Sequence, residues 1–282
     1  MNVPAADGST GRDFDVVFAD TCLGGSTVAA RVGASAAGVR GYYLADYAVN
    51  PLGVKPPAAI RAALERWLRA ATARTGTLVV ACNTASVLLE QLPDLLARAA
   101  GADLRVITMV QLLDRALALV PSTIQGRRVC LMGTRFTVGQ PVYRDRLIRA
   151  GALEVIPLAA TRTERTIAHL WHTSLDGRRQ IEDEVADAIR RSDVVVLACT
   201  LFPLVGPLLR DLNPSCVLVD PAAGANGLLQ TSGTGANRLT IAMTGHAIAL
   251  EDLRAQSGAL FPGWAIEATG TDAIDEAGAE AS

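Results

Sequence analysis

Thr77-Leu78-Val79-Val80-Ala81-Cys82-Asn83-Thr84 is a short run of β-forming residues that ends on a cysteine and passes at once into small polar residues. It returns in kind as Asp193-Val194-Val195-Val196-Leu197-Ala198-Cys199-Thr200. Both runs are apolar at every second and every intervening position, the pattern of a parallel strand covered by helices on both faces. Similar runs recur at Asp15–Asp20, Tyr42–Asp46, Arg105–Val110, Arg128–Gly133, Leu153–Leu158, Cys216–Asp220 and Leu239–Thr244. Helical stretches separate them at Pro57–Ala73, Ser86–Ala99, Gln111–Leu119, Val138–Ala150, Thr163–Arg191 and His246–Gln256. Strand and helix in alternation predict an α/β fold with doubly wound parallel sheets.

The recurrence has a register. Asp20 ends the first strand 62 residues before Cys82, and Thr134 follows a later strand 65 residues before Cys199. Two halves that each place an oxygen-bearing residue first and a cysteine second predict two related domains across a cleft, joined by a pseudo-twofold. The expected division is residues 14–106 with 215–264 as the first domain and 107–214 as the second. Residues 1–13 are expected to form a disordered N-terminal tail without an apolar leader. Residues 265–282, with five acids and no base, read as a disordered acidic extension.

Composition narrows the function. Half of the 282 residues are hydrophobic, enough for two cores, yet no run approaches the ~20 apolar residues of a membrane helix. A formal net charge of −2 supplies no electrostatic footprint for nucleic acid. Five scattered cysteines without a CxxC pair read as reduced thiols of a cytoplasmic protein and offer no metal-site spacing. Lys55 is the lone lysine among 26 basic residues, and its Val54-Lys55-Pro56 setting fits neither a pyridoxal Schiff base nor a Walker loop. No cofactor is expected.

Ligands of doubly wound sheets bind beyond the carboxyl ends of the strands. Cys82 and Cys199 occupy that position. An isolated Ala-Cys is most often a core residue. Here each precedes a helix start, a place expected to expose the thiol and depress its pKa, while Asn83, Thr84 and Thr200 cap the helices or donate to a carboxylate ligand. Two opposed thiols suit inversion of a stereocentre, where one removes a proton and the other delivers one. Cys22 reads as a filler under its loop, Cys130 and Cys216 as core, and His169, His172 and His246 as surface or capping groups.

The motifs as a set resemble the aspartate/glutamate racemase superfamily, and within it the glutamate racemases. They are Asp20-Thr21-Cys22-Leu23-Gly24-Gly25, Asp46 through Pro51-Leu52-Gly53-Val54-Lys55, Ala81-Cys82-Asn83-Thr84-Ala85, Gly133-Thr134-x-x-Thr137 with Tyr143, Cys199-Thr200-Leu201-Phe202-Pro203-Leu204, Asp220-Pro221 and Thr244-Gly245. The resemblance implies a cofactor-independent amino-acid racemase, a cytoplasmic homodimer acting on a small amino acid or 2-substituted acid. Cys82 and Cys199 would be the two bases. Asp20 and Thr21 would meet the substrate amino group and poise the first thiol. Asn83, Thr84, Thr134 and Thr137 would hold the α-carboxylate, Thr200 would assist on the amino side, and Gly53 would offer its backbone to a distal carboxylate. Three positions depart from the family pattern: Cys22 replaces a glycine, Leu52 a tyrosine, and Leu201 the histidine beside the second cysteine. These changes predict a substrate less polar than glutamate. A one-sided lyase or diacid isomerase on the same site, or a non-catalytic binding protein, are the other readings.

Overall fold

The structure, a computed structural model, describes residues 12–169, 171–229, 233–245 and 259–268. Two parallel sheets form its frame. The first has the order β10-β9-β2-β1-β3-β4 and the second β6-β5-β7-β8. Their strands are β1 (Val16–Asp20), β2 (Arg40–Asp46), β3 (Thr77–Val80), β4 (Arg105–Thr108), β5 (Arg128–Gly133), β6 (Glu154–Ala159), β7 (Val194–Ala198), β8 (Val217–Val219), β9 (Asn237–Thr244) and β10 (Trp264–Ala268). The order β2-β1-β3-β4 thus repeats as β6-β5-β7-β8. Cys82 and Cys199, just beyond β3 and β7, stand at equivalent places in the two sheets.

The helices are α1 (Ser26–Ser35), α2 (Pro57–Thr72), α3 (Asn83–Glu90), α4 (Pro93–Gly101), α5 (Met109–Leu119), α6 (Arg135–Gly139), α7 (Pro141–Arg149), α8 (Thr161–Ala168), α9 (Leu175–Arg190) and α10 (Gly206–Leu212). Proline at the first position of α4 and of α7 explains why two expected single helices are each divided, since proline starts a helix readily but cannot continue one. The expected helix over Thr163–Arg191 is likewise two, α8 and α9. Ser174 caps α9 by accepting from the Gly177 amide at 3.0 Å, which fixes a new start inside the amphipathic stretch.

Each sheet is buried on both faces. In β1 and β7 every residue is inaccessible, as their unbroken apolar sequences require. Phe18, Tyr43, Ile241 and Trp264 pack on one face of the first sheet, and Leu44, Leu64, Trp67 and Leu89 on the other. Cys130, Ile181 and Phe202 share one core of the second sheet, and Leu131, Tyr143 and Val196 the other.

The division between the halves differs from expectation. β8 pairs in parallel with β7, so the chain stays in the second sheet past residue 215 and returns only after Val219. The acidic extension also begins later. Residues 264–268 pair with β9, with Trp264 donating its indole N–H to the Ala29 carbonyl at 2.9 Å. An aromatic anchor in a segment dense in Ala and Gly escapes a composition-based reading. The helix expected at His246–Gln256, residues 1–11 of the expected N-terminal tail, and residues 269–282 lie outside the described residues.

Two crossings connect the halves, and they pack on one another. α5 leads from β4 to β5, with Met109 and Leu112 in the first half's core and Val110 and Leu113 in the second's. The return, Pro221–Ala225, lies against it. Arg115 donates to the Gly224 carbonyl at 2.7 Å, and a Cβ on Gly224 would stand 2.1 Å from the Leu112 carbonyl oxygen, so only glycine fits.

Asp46, at the end of β2, is fully buried and receives Trp67 Nε1 at 2.7 Å, together with the Arg66 guanidinium and the Thr244 hydroxyl. This cluster ties α2 and β9 to the start of the loop that carries Leu52 and Gly53. Trp67→Phe removes one donor from a buried carboxylate and some core volume with it. We expect a loss of about 1–3 kcal/mol in urea unfolding. A change below a few tenths of a kcal/mol would mean that this indole bond contributes nothing to stability.

Candidate active site

The centre of the site is Asp20, the last residue of β1 and 1% exposed. Parallel strands deliver their carboxyl ends to one rim, and Asp20 accepts from five groups there. Its Oδ1 accepts the Thr21 amide at 2.6 Å and the Thr21 hydroxyl at 3.4 Å. Its Oδ2 accepts the Gly25 amide at 2.6 Å, the Thr200 hydroxyl at 3.1 Å and the Cys22 thiol at 4.0 Å. The Cys82 thiol stands 4.0 Å from the Thr21 hydroxyl and acts electrostatically on this carboxylate. Thr200 belongs to the second half, so one carboxylate spans the cleft. Burial outweighs these donors and pushes the Asp20 carboxyl up to about 7.

Cys82 and Cys199 are 7% and 8% exposed, not open as their helix-start positions predict. The Ala85 amide does reach Cys82 and the Leu201 amide does reach Cys199, the effect expected at those positions. Desolvation is larger, however, and pushes both thiols above their ordinary range. Asp20 adds to the rise at Cys82, and Glu164 is the next cause after burial at Cys199. Cys199 also feels the first half: the Cys82 and Asp20 charges both act on it. The rise for Cys199 agrees with the apolar Leu201 beside it.

Three hydroxyls close a triangle across the cleft. Thr84 Oγ1 lies 3.2 Å from Thr134 Oγ1 and 3.1 Å from Thr137 Oγ1, and the last two are 2.9 Å apart. Thr134 also caps α6. Contrary to expectation, neither Asn83 nor Thr84 caps a helix. Asn83 Oδ1 instead accepts the Tyr143 hydroxyl at 2.5 Å, while its Nδ2 is buried without a protein partner. A buried donor left unmet is costly unless a ligand fills it.

Glycines allow the halves to approach. A Cβ on Gly24 would stand 2.7 Å from Thr200 Oγ1 and 3.2 Å from the Leu201 side chain. One on Gly53 would stand 2.7 Å from the Phe136 Cβ and 3.2 Å from the Thr84 methyl. The structure therefore brings Asp20, Thr21, Cys22, Cys82 and Thr200 together, with Leu201 against Gly24. Asn83, Thr84, Thr134 and Thr137 form a second group, with Gly53 at its edge. Leu52 is 2% exposed and packs in the first half's core. Among the described residues no cluster of His, Cys, Asp and Glu is arranged to hold a metal ion.

The profile of the Asp/Glu/Hydantoin racemase family matches residues 48–225. A glutamate racemase of Synechococcus sp. (strain CC9605) is 34% identical over 214 residues, covering 73% of this chain and 75% of that one. The chain belongs to the Asp/Glu/Hydantoin racemase family. It is a racemase, and hence an isomerase. A glutamate racemase from Streptococcus pyogenes serotype M49 (strain NZ131) is 29% identical over 212 residues, 73% of this chain and 76% of its own. In fold, this racemase is similar to a glutamate racemase isoform from Bacillus anthracis, with a TM-score of 0.75 at 17% identity, covering 91% and 97% of the two chains. A glutamate racemase from Thermus thermophilus in complex with beta-chloro-D-alanine gives a TM-score of 0.69 at 24% identity over 93% and 98%.

Glu164, in the first turn of α8 beyond β6, was not singled out from the sequence of this racemase. Its place after a strand end is the signal that marks Cys82 and Cys199, but a half-helix of mixed polar residues hides it. Burial raises its carboxyl above the ordinary range.

Asp20 gives a pH-dependent term in stability. Its folded value of about 7 exceeds the ordinary 3.8, so its contribution is full below about 3.8 and is lost as pH rises through about 7. The slope is at most about 1.4 kcal/mol per pH unit. Asp20→Asn should remove it, so the stability difference between variant and wild type should change between pH 5 and pH 7.5. A pH-independent difference would refute a carboxyl that titrates near neutrality.

Proposed function

We propose that this protein inverts the α-carbon of an amino acid without a cofactor, with Cys82 and Cys199 as opposed acid and base. The observation that carries this reading is the placement of the two thiols after equivalent strands of two sheets, around one carboxylate that grips both halves. Resting thiols held neutral by burial are suited to the task, because the one that delivers a proton must carry it beforehand. The one that abstracts must first lose its own. Asp20, balanced near neutrality and coupled to Cys82, takes that proton on one side, and Glu164 does so beside Cys199.

Substrate groups match the remaining polarity. An ammonium group matches the Asp20 carboxylate and the Thr200 oxygen as acceptors, and an α-carboxylate matches the unmet Asn83 amide and the three threonine hydroxyls. Those donors stabilise the charge that grows on the carboxylate as the α-proton leaves. We infer a side chain less polar than that of glutamate, since Leu201 brings no hydrogen-bonding group to the wall that faces Gly24. The cytoplasmic homodimer implied by the family resemblance belongs to the same reading.

Solvent-deuterium incorporation at the α-carbon tests it across a panel of glutamate, aspartate, short apolar amino acids and a 5-substituted hydantoin. Exchange with inversion is expected, and Cys82→Ser and Cys199→Ser should each lower it at least ~100-fold. Product without inversion would replace this reading with a one-sided lyase or isomerase. Binding without exchange would make the protein a ligand-binding relative.

A further inference from the structure

Phe136 lies between Thr134 and Thr137 in the short helix α6 and packs against a core of each half. Its neighbours in the chain supply two of the three hydroxyls of the triangle, so its own position is fixed by the same turn. Across the cleft it abuts Gly53 closely enough that even a methyl group there would collide with its Cβ at 2.7 Å and its Cγ at 3.0 Å. The third member of the contact is the Thr84 methyl, on the side chain whose hydroxyl completes the triangle.

A tetrahedral carbon held between two sulfurs has three other substituents to house. The Asp20–Thr200 side takes an ammonium group, and the Asn83 amide with the hydroxyls takes a carboxylate. The wall that adjoins Thr84 and remains is the meeting of Gly53 with Phe136. We propose that Phe136 is a specificity-determining residue: its ring fills the end of the site next to Gly53 and limits the substrate to an amino acid with a short, apolar side chain.

This rests on the racemase reading above and deepens it. A second carboxylate directed at a phenyl ring and a threonine methyl would lose water and gain no donor from either, which disfavours it strongly. An alkyl chain of one or two carbons gains contact with the same ring. Specificity of this kind is marked, because an unpaired buried polar group discriminates far more than one methylene does.

The test is calorimetric binding of L-glutamate and L-2-aminobutyrate to the full-length chain and to Phe136→Gly, with α-carbon exchange measured in parallel. The wild type should prefer 2-aminobutyrate, and Phe136→Gly should shift the affinity ratio at least tenfold toward glutamate. Phe136→Leu, which keeps an apolar contact between the two cores, should shift it about threefold in the same direction and serves if the glycine variant does not fold. A wild type that prefers glutamate, an unchanged ratio, or binding of neither ligand overturns the assignment of Phe136. A shifted ratio without exchange in any variant upholds that assignment and overturns the two-thiol racemase instead.

Discussion

A carboxylate with almost no access to water is the constraint on which this site depends. Asp20 reaches the rim because β1 is a central strand, and central strands of parallel sheets carry no polar residue until they end. Once there, it gathers two backbone amides from its own loop, the Thr200 hydroxyl from the other half, and the thiols of Cys22 and Cys82. Its donors oppose the cost of burial without cancelling it, and the remainder leaves the group close to its point of half-ionisation at neutral pH. A carboxylate in water would be far too acidic to exchange protons with a thiol.

The same desolvation acts on sulfur. The helix amides that reach Cys82 and Cys199 lower their pKa, as the dipole argument says they should, but losing water has the greater effect. Proximity of negative groups then adds to it, Asp20 on one side and Glu164 on the other. The site thus holds its protons tightly at rest, and in the proposed reaction the ammonium group of an arriving substrate would make ionisation favourable.

The architecture was legible in the sequence wherever pattern and burial coincide. Unbroken apolar runs located every strand from β1 to β9 to within a few residues, and the repeated Ala-Cys endings lie just beyond β3 and β7. The failures have physical causes. Pro93 and Pro141 divide helices whose apolar periodicity continues across them, and Ser174 starts α9 where no periodicity breaks. β10 depends on one indole seated against Gly33, a tertiary contact that its Ala- and Gly-rich flanks do not announce. Thiol acidity was misjudged because a strand end signals proximity to the rim but says nothing of how tightly the other half covers it. Phe136 gave no signal at all, since its importance lies in the residue it faces from the opposite domain.

The paired crossings carry a mechanical consequence. α5 and the segment 221–225 run side by side, fastened by Arg115 and by the contact at Gly224 that admits no side chain. The two connections therefore join the halves along one shared seam, and any parting of the halves at Asp20 breaks its bond from Thr200.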